Sequence, residues 1–315
     1  MARLLDRSGP RPIRGMRVLI TGGSSGIGLA CAQDLSAAGA NVVILARGED
    51  ALQQAAAQLD PPCAYVVADV ADVDALRAAV DRAAGLLGGL DAVISNAGAA
   101  TYGPFLDLSP DDYRRTIDIT LLGMINTAHV SLPHLERTHG TLLVVGSIAS
   151  RVPTPWLATY TAAKHGVRGF ARSLAAELKA LGNPVQVAQV LPGPVDTPFF
   201  HRARSTDGRL PSKLHGVYRP QDVAAEVTRM LARPRLERTF GAAMAAVALF
   251  DSVAPNLSTR AMAPFVKLGW RKRKRRPPSG PDALSEPVKV AELDGDLPSR
   301  PSVATKLRDL SRAGQ

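Results

Sequence analysis

Tyr160 and Lys164 stand four positions apart in the run Tyr160-Thr161-Ala162-Ala163-Lys164. On a helix, residues at i and i+4 share one face, so the phenol and the ammonium lie side by side. A free phenol titrates near ~10, and a neighbouring cation lowers that value toward the range useful for proton transfer near neutral pH. Ser147 lies thirteen residues before Tyr160, just past the apolar run Leu142-Leu143-Val144-Val145. A hydroxyl at a strand end can hydrogen-bond a substrate carbonyl held beside the tyrosine. Tyr-x-x-x-Lys alone is common by chance, and an exposed helix pair is its plain alternative. Its meaning comes from a second constellation upstream.

Thr21-Gly22-Gly23-Ser24-Ser25-Gly26-Ile27-Gly28 follows the apolar run Val18-Leu19-Ile20 and opens a helix-like segment from Leu29 to Ala38. Strand, glycine turn and helix in that order form the setting of a dinucleotide-binding turn. Gly22 lets the chain leave the strand tightly. Gly26 and Gly28 allow backbone to approach a pyrophosphate and the helix to pack closely on the sheet. The helix N-terminus offers free N–H groups and a positive dipole end to the phosphates. Gly22, Ser24, Ser25, Gly26, Ile27 and Gly28 are the expected cofactor contacts of this turn. The next apolar run ends Leu45-Ala46-Arg47-Gly48-Glu49-Asp50. NAD enzymes place an acid in this region, roughly 20 residues past the glycines, to bind the ribose 2′-hydroxyl. Here Ala46 stands instead, followed by Arg47, whose planar fork suits a 2′-phosphate. NADP(H) is therefore favoured over NAD(H). The plain alternative makes Arg47 a solvated loop residue ahead of the helix N-terminal acids Glu49 and Asp50.

With these runs in place, the chain resembles the short-chain dehydrogenase/reductase family in its common single-domain form, from about Gly15 to Phe240. Further markers follow in order: Asp69-Val70, Asn96-Ala97-Gly98 and Pro192-Gly193-Pro194-Val195-Asp196-Thr197. The resemblance implies hydride transfer between a nicotinamide and a carbonyl/alcohol pair. It makes Tyr160 the general acid/base, Lys164 the ligand of the nicotinamide ribose and Ser147 the group that polarises the carbonyl. It sets Asp69 and Val70 beside the adenine and Asn96, Ala97 and Gly98 under the cofactor. Pro192 and Gly193 form a turn, with Val195 and Thr197 at the carboxamide end. It also implies a homo-oligomer acting on a small carbonyl or alcohol. One position departs from the pattern: Asp118-Ile119-Thr120-Leu121-Leu122-Gly123 carries Thr120 where the family usually has an asparagine that helps relay protons. A non-catalytic nucleotide sensor or scaffold is the alternative, supported by Thr120 and the long basic tail.

These groups need rigid elements to hold them. Apolar, β-branched runs fall at Arg17–Ile20, Asn41–Leu45, Ala64–Ala68, Ala92–Ser95, Thr141–Val145 and Val185–Leu191. Helical patterns fill the intervals, among them Ala51–Leu59, Val73–Leu87, Pro110–Thr138 and Thr159–Leu181. Alternation of this kind predicts βαβ crossovers and a doubly wound parallel α/β sheet. By resemblance this is a seven-stranded Rossmann sheet of order 3-2-1-4-5-6-7, with ligands beyond the C-terminal strand ends. The glycine turn, Asn96-Ala97-Gly98, Ser147 and Pro192-Gly193 all follow a strand, as that rule requires. A chain of 315 residues with 46% hydrophobic content is long enough for this core in one domain. The expected divisions are an N-terminal arm over 1–14, a catalytic domain over 15–254, a weakly amphipathic extension over 255–270 and a basic tail over 271–315.

Pro198 to Arg219 is the expected substrate lid, where Phe199, Phe200 and Leu210 suggest an apolar substrate; packing under the loop is their plain reading. Trp156 either lines the same pocket or serves the core. His129, His134 and His139 recur every five residues, about 140° per step, so they do not converge as metal ligands. Cys31 and Cys63 lack metal or redox spacing. Met1–Arg14 lacks the apolar core of a signal peptide, which predicts a cytoplasmic protein. From Lys267 to Gln315, 12 Lys/Arg face 6 Asp/Glu, so six of the net +10 charges lie there, led by six consecutive cations, Arg271–Arg276. Such a run is usually solvated. A peripheral contact with an anionic membrane surface is the sharper alternative, since Phe265, Val266, Leu268 and Trp270 immediately precede the cations. Nucleic-acid binding is disfavoured for want of aromatic interleaving or a fold motif.

Overall fold

The computed structural model describes residues 9–208, 216–271 and 282–295. Its central strands are runs of β-branched and aliphatic residues: β1 (Arg17–Thr21), β2 (Asn41–Ala46), β3 (Cys63–Val67), β4 (Ala92–Ser95), β6 (Thr141–Val145) and β7 (Gln186–Leu191). With the two-residue β9 (Arg238–Thr239) they make a seven-stranded sheet of order β3-β2-β1-β4-β6-β7-β9, parallel throughout. A separate parallel pair joins β5 (Thr101–Tyr102) to β8 (Arg204–Ser205). This is the doubly wound Rossmann-type α/β fold. Neither β9 nor the β5/β8 pair is long enough to leave a periodic signal in the sequence.

Both sheet faces are covered, so the strands read as unbroken apolar runs rather than alternating ones. Successive side chains still point to opposite faces. Val18, Ile20, Val42 and Ile44 face one core with helices α1 (Gly26–Ala37) and α8 (Pro220–Ala232). Leu19, Val43, Leu45 and Val93 face the other, with α3 (Val73–Leu87), α5 (Gly123–Thr138) and α6 (Ala158–Ala180). Local chemistry fixes the helix ends. Asp72 accepts from the amides of Asp74 and Ala75 to cap α3, which stops at Gly88 in the left-handed region (φ 72°). Ser109 and Asp112 form a reciprocal capping box on α4 (Pro110–Ile117), with Pro110 in its first turn.

Two features differ from the sequence reading. The single helix expected over Pro110–Thr138 is divided by a π-turn at Asp118–Leu122. The stretch beyond 271, expected to be a solvated tail, includes residues 282–295, which lie on the domain. Asp282 and Leu284 are buried, and Ala291 and Leu293 pack against the first core. Acidic side chains there meet arginines of the domain, and its few apolar ones find apolar neighbours, which offsets the cost of ordering the segment. Helices α2 (Glu49–Ala56), α7 (Phe199–Arg202), α9 (Ala242–Val253) and α10 (Pro255–Arg271) complete the elements. The side chains of Phe265–Trp270, the cations after Arg271, and Leu210 of the expected lid lie outside the described residues. Among the described residues, no helix is long and apolar enough to cross a membrane.

Candidate active site

The C-terminal ends of the central strands meet in a cavity of about 310 Å³. Its walls bring together Gly22, Ser24, Ser25, Gly26 and Ile27 from the first turn, Arg47 from the second, and Asp69 and Val70 from the third. Asn96, Ala97, Gly98, Ser147, Tyr160, Lys164, Pro192, Gly193, Val195 and Thr197 line it as well. Of the residues nominated from the sequence, Gly28 stands behind this wall. A Cβ there would come within 2.1 Å of the Gly22 carbonyl, so glycine is required for helix α1 to sit against the turn.

The glycine turn is held from the side. Thr21 Oγ1, at the end of β1, accepts from the amides of Asn96 (3.1 Å) and Ala97 (3.2 Å). The Asn96 side chain donates back to the carbonyls of Thr21 (3.2 Å) and Gly22 (3.1 Å). Asn96 thus acts first on the turn, through a clasp between neighbouring strand ends. The sequence reading passed over Thr21, although a hydroxyl at a strand end was its visible signal. Helix α1 has no side-chain cap at Ser25. Its first-turn amides and dipole end are therefore directed at the cavity, an arrangement that suits an anion. One of them, Gly26 N–H, donates to the Glu292 carbonyl at 2.8 Å.

Ser147 follows β6 and caps the short turn Ile148–Ser150, its Oγ accepting from Ala149 N–H at 3.1 Å. The Ile148 amide donates to the Pro192 carbonyl at 2.8 Å, tying the ends of β6 and β7 together. Tyr160 and Lys164 lie one turn apart on α6, with the ammonium 5.8 Å from the tyrosine ring centre. The Lys164 ammonium is buried and donates to the Val145 carbonyl at 2.9 Å. Burial lowers its pKa to about 8. The expected cation-lowered phenol does not follow: burial pushes Tyr160 up to about 12, opposed by a hydrogen bond with Ser147. Lys164 is committed to the Val145 carbonyl, so desolvation dominates at the phenol.

Thr120, in the π-turn, is buried and uses its hydroxyl twice on one residue. It donates to the Ala99 carbonyl (2.8 Å) and accepts from the Ala99 amide (3.0 Å). It therefore holds the loop after β4, beside Asn96-Ala97-Gly98. π-turns are frequent where a helix must serve a site.

At the part of the cavity that follows β2 and β3, Arg47 and Arg115 converge on Asp69. Arg115 makes a close ion pair with it, and Arg47 lies at 3.8 Å. Burial works to raise the Asp69 carboxyl, but the Ala71 amide and the two guanidiniums together hold it below the usual range. Arg115 comes from α4, 46 positions from Asp69, and no local pattern reveals it. On the opposite rim, Phe199 and Phe200 line the cavity, and Phe199 packs on Tyr160 with ring centres 5.4 Å apart. Both join an apolar cluster with Ala100, Tyr102, Leu157 and Ala203. Trp156 packs on this cluster and sits at φ 61°, a strained backbone for a bulky residue. His134 pairs with Asp81 at the surface. Among the described residues, no His/Cys/Asp/Glu group is arranged to hold a metal.

A family model described as short chain dehydrogenase matches residues 16–208. The uncharacterized oxidoreductase YxnA of Bacillus subtilis (strain 168) is 29% identical over 270 residues, covering 84% of this chain and 75% of its own. A short chain dehydrogenase from Burkholderia cenocepacia J2315, solved in complex with NADP, is 30% identical with a TM-score of 0.62, covering 73% of this chain and 97% of that one. A short chain dehydrogenase/reductase from Burkholderia phymatum, in complex with NAD, superimposes with a TM-score of 0.71 at 21% identity, covering 78% and 96% of the two chains.

Proposed function

The chain belongs to the short-chain dehydrogenase family and is an oxidoreductase of that family; from this premise we propose that it is an NADP(H)-dependent enzyme interconverting an apolar ketone and its secondary alcohol. The observation that carries the reading is the meeting of Ser147, Tyr160 and Lys164 with the uncapped N-terminus of α1 around one cavity. The residues present fit a dinucleotide. Ser24, Ser25, Gly26 and Ile27 would hold its pyrophosphate, Lys164 its nicotinamide ribose, and Val195 and Thr197 its carboxamide end, with Asp69 and Val70 by the adenine. When bound, the nicotinamide supplies or accepts the hydride.

The chain's own part is proton management. Tyr160, pushed up to about 12, keeps its proton at neutral pH and is set to give it to a carbonyl oxygen, which suits the reducing direction. Ser147 donates to the same oxygen as negative charge develops there. A positive Lys164 stabilises the phenolate left behind. Phe199, Phe200 and Leu157 offer an apolar wall to the substrate. Arg47, with Arg115 beside it, supports the choice of NADP(H): both guanidiniums face Asp69, Asp282 of the 282–295 segment is the further acid acting on Arg47, and their planar forks suit a 2′-phosphate.

The test is NADPH oxidation against a panel of ketones, with Tyr160→Phe in parallel. The variant should lose turnover while keeping nucleotide affinity, because it lacks only the transferable proton; Ser147→Ala should mainly slow the rate. Wild-type turnover in Tyr160→Phe would sink the role given to Tyr160, whereas nucleotide binding with no turnover of any ketone by the wild type would favour the non-catalytic sensor. A homo-oligomer in the cytoplasm is the family-like setting. A membrane-surface contact is a second reading, favoured by the exposure of Leu249, Phe250, Val253 and Leu257 on α9 and α10, the helices that precede the cation run.

A further inference from the structure

Residues 282–295 cross the groove in which the proposed function seats the dinucleotide. At the adenosine end, Arg47 donates to the carbonyls of Ala283 (2.6 Å) and Glu286 (3.3 Å). Farther along, the Val288 carbonyl lies against Gly48, 2.1 Å from where a Cβ would stand, so any other residue at 48 would displace the segment. Arg202, on the opposite rim, donates to the Val290 carbonyl (3.2 Å) and the Glu292 carboxylate (2.9 Å). The Glu292 carbonyl takes the Gly26 amide at the N-terminus of α1. The segment thus occupies a 2′-phosphate donor and a pyrophosphate donor at once.

Its composition matches that placement. The cations Arg271–Arg276 precede it, yet 282–295 itself holds four acids and one lysine. An acidic segment over two arginines and a helix N-terminus has the charge pattern of the phosphates it would replace.

We propose that the dinucleotide groove is also a peptide site for the chain's own residues 282–295, and that docking of this strap and binding of the dinucleotide exclude each other. The inference rests on the dinucleotide reading of the groove. Exclusion follows from shared donors: the single proton of Gly26 N–H and the Arg47 Nη2 group serve strap carbonyls and cannot serve phosphate oxygens at the same time. A strap docked ten times for each time it is open weakens apparent nucleotide affinity about tenfold.

The experiment uses the full chain. Hydrogen–deuterium exchange of the 282–295 amides is followed with and without saturating NADPH, and NADPH affinity is titrated for wild type and for Leu284→Asp, which places a charge where Leu284 is buried. Strap amides should be protected alone and released by NADPH, and Leu284→Asp should bind NADPH about tenfold more tightly. If Leu284→Asp does not fold, Glu292→Lys with Asp294→Lys reverses the strap's charge without touching the core and should shift affinity in the same direction. Deeper protection with NADPH, or equal or weaker binding by the released variants, would make the strap a clamp or a bystander and overturn the exclusion. Free exchange of the strap without nucleotide, with NADPH still bound, would remove the strap and leave the cofactor reading intact. Protection without any NADPH or NADH binding would instead remove the cofactor reading, and the exclusion with it.

Discussion

Lys164 carries a charge where the fold alone would be more stable without one. Burial moves its pKa from 10.5 down to about 8, so at pH 7 the folded chain bears the full cost of a desolvated ammonium. Between these two values the unfolded chain binds more protons than the folded one, and wild-type stability rises with pH there. Lys164→Met should therefore melt higher than wild type at pH 7 while losing turnover. The gap in Tm should close as pH climbs from about 8 toward 10.5. A gap that stays constant over that range would mean the ammonium is not desolvated. Arg47 is the other residue whose surroundings set its use. Removing a charge-assisted contact costs on the order of 1.5–3 kcal/mol. Arg47→Ala should narrow an NADPH-over-NADH preference by about that amount, measured by titration of both nucleotides; equal affinities in wild type would refute its role.

At the scale of elements, the β-branched runs placed the six long strands within a residue or two, because buried parallel strands must be continuous and apolar. The glycine turn, Asn96-Ala97-Gly98, Ser147 and Pro192-Gly193 were legible for a related reason: each follows such a run, while Tyr160 and Lys164 showed in their helical spacing. What stayed hidden depends on contacts across sequence. The division of Pro110–Thr138 has no local signature; it shows in Gly123, where a Cβ would come within 2.5 Å of Val70, and in Thr120 reaching Ala99. Arg115 at Asp69 and the strap on the groove were hidden in the same way. Thr120→Val keeps the shape and removes both bonds to Ala99, leaving a buried amide and carbonyl unsatisfied at roughly 1–3 kcal/mol each. It should lower Tm and weaken nucleotide binding through the loop after β4. Thr120→Ser should restore most of both, and if Thr120→Val matches wild type, the hydroxyl is not what holds that loop.

For the whole molecule, charge is divided rather than spread. The chain carries net +10, six of those charges from Lys267 onward, while its acidic strap lies inside that same stretch. The cation run, together with exposed Leu249, Phe250 and Val253 earlier in the chain, should hold the full chain on anionic vesicles at low salt. Added salt, or neutral residues in place of Arg271–Arg276, should release it. Co-sedimentation checks this, and no binding at low salt would leave the basic run as a solvated extension.

The clasp between Thr21 and Asn96 bears on how the protein is made. Its partners lie 75 positions apart, with β2 and β3 between them in the chain, so it can close only when β1 and β4 are already neighbours. A chain still on the ribosome presents its glycine turn before Asn96, 68 positions past Gly28, and lacks the support that shapes the turn until Asn96 has emerged. Nucleotide capture should then begin abruptly during synthesis, as the central strand pair forms, and not when the glycines themselves appear.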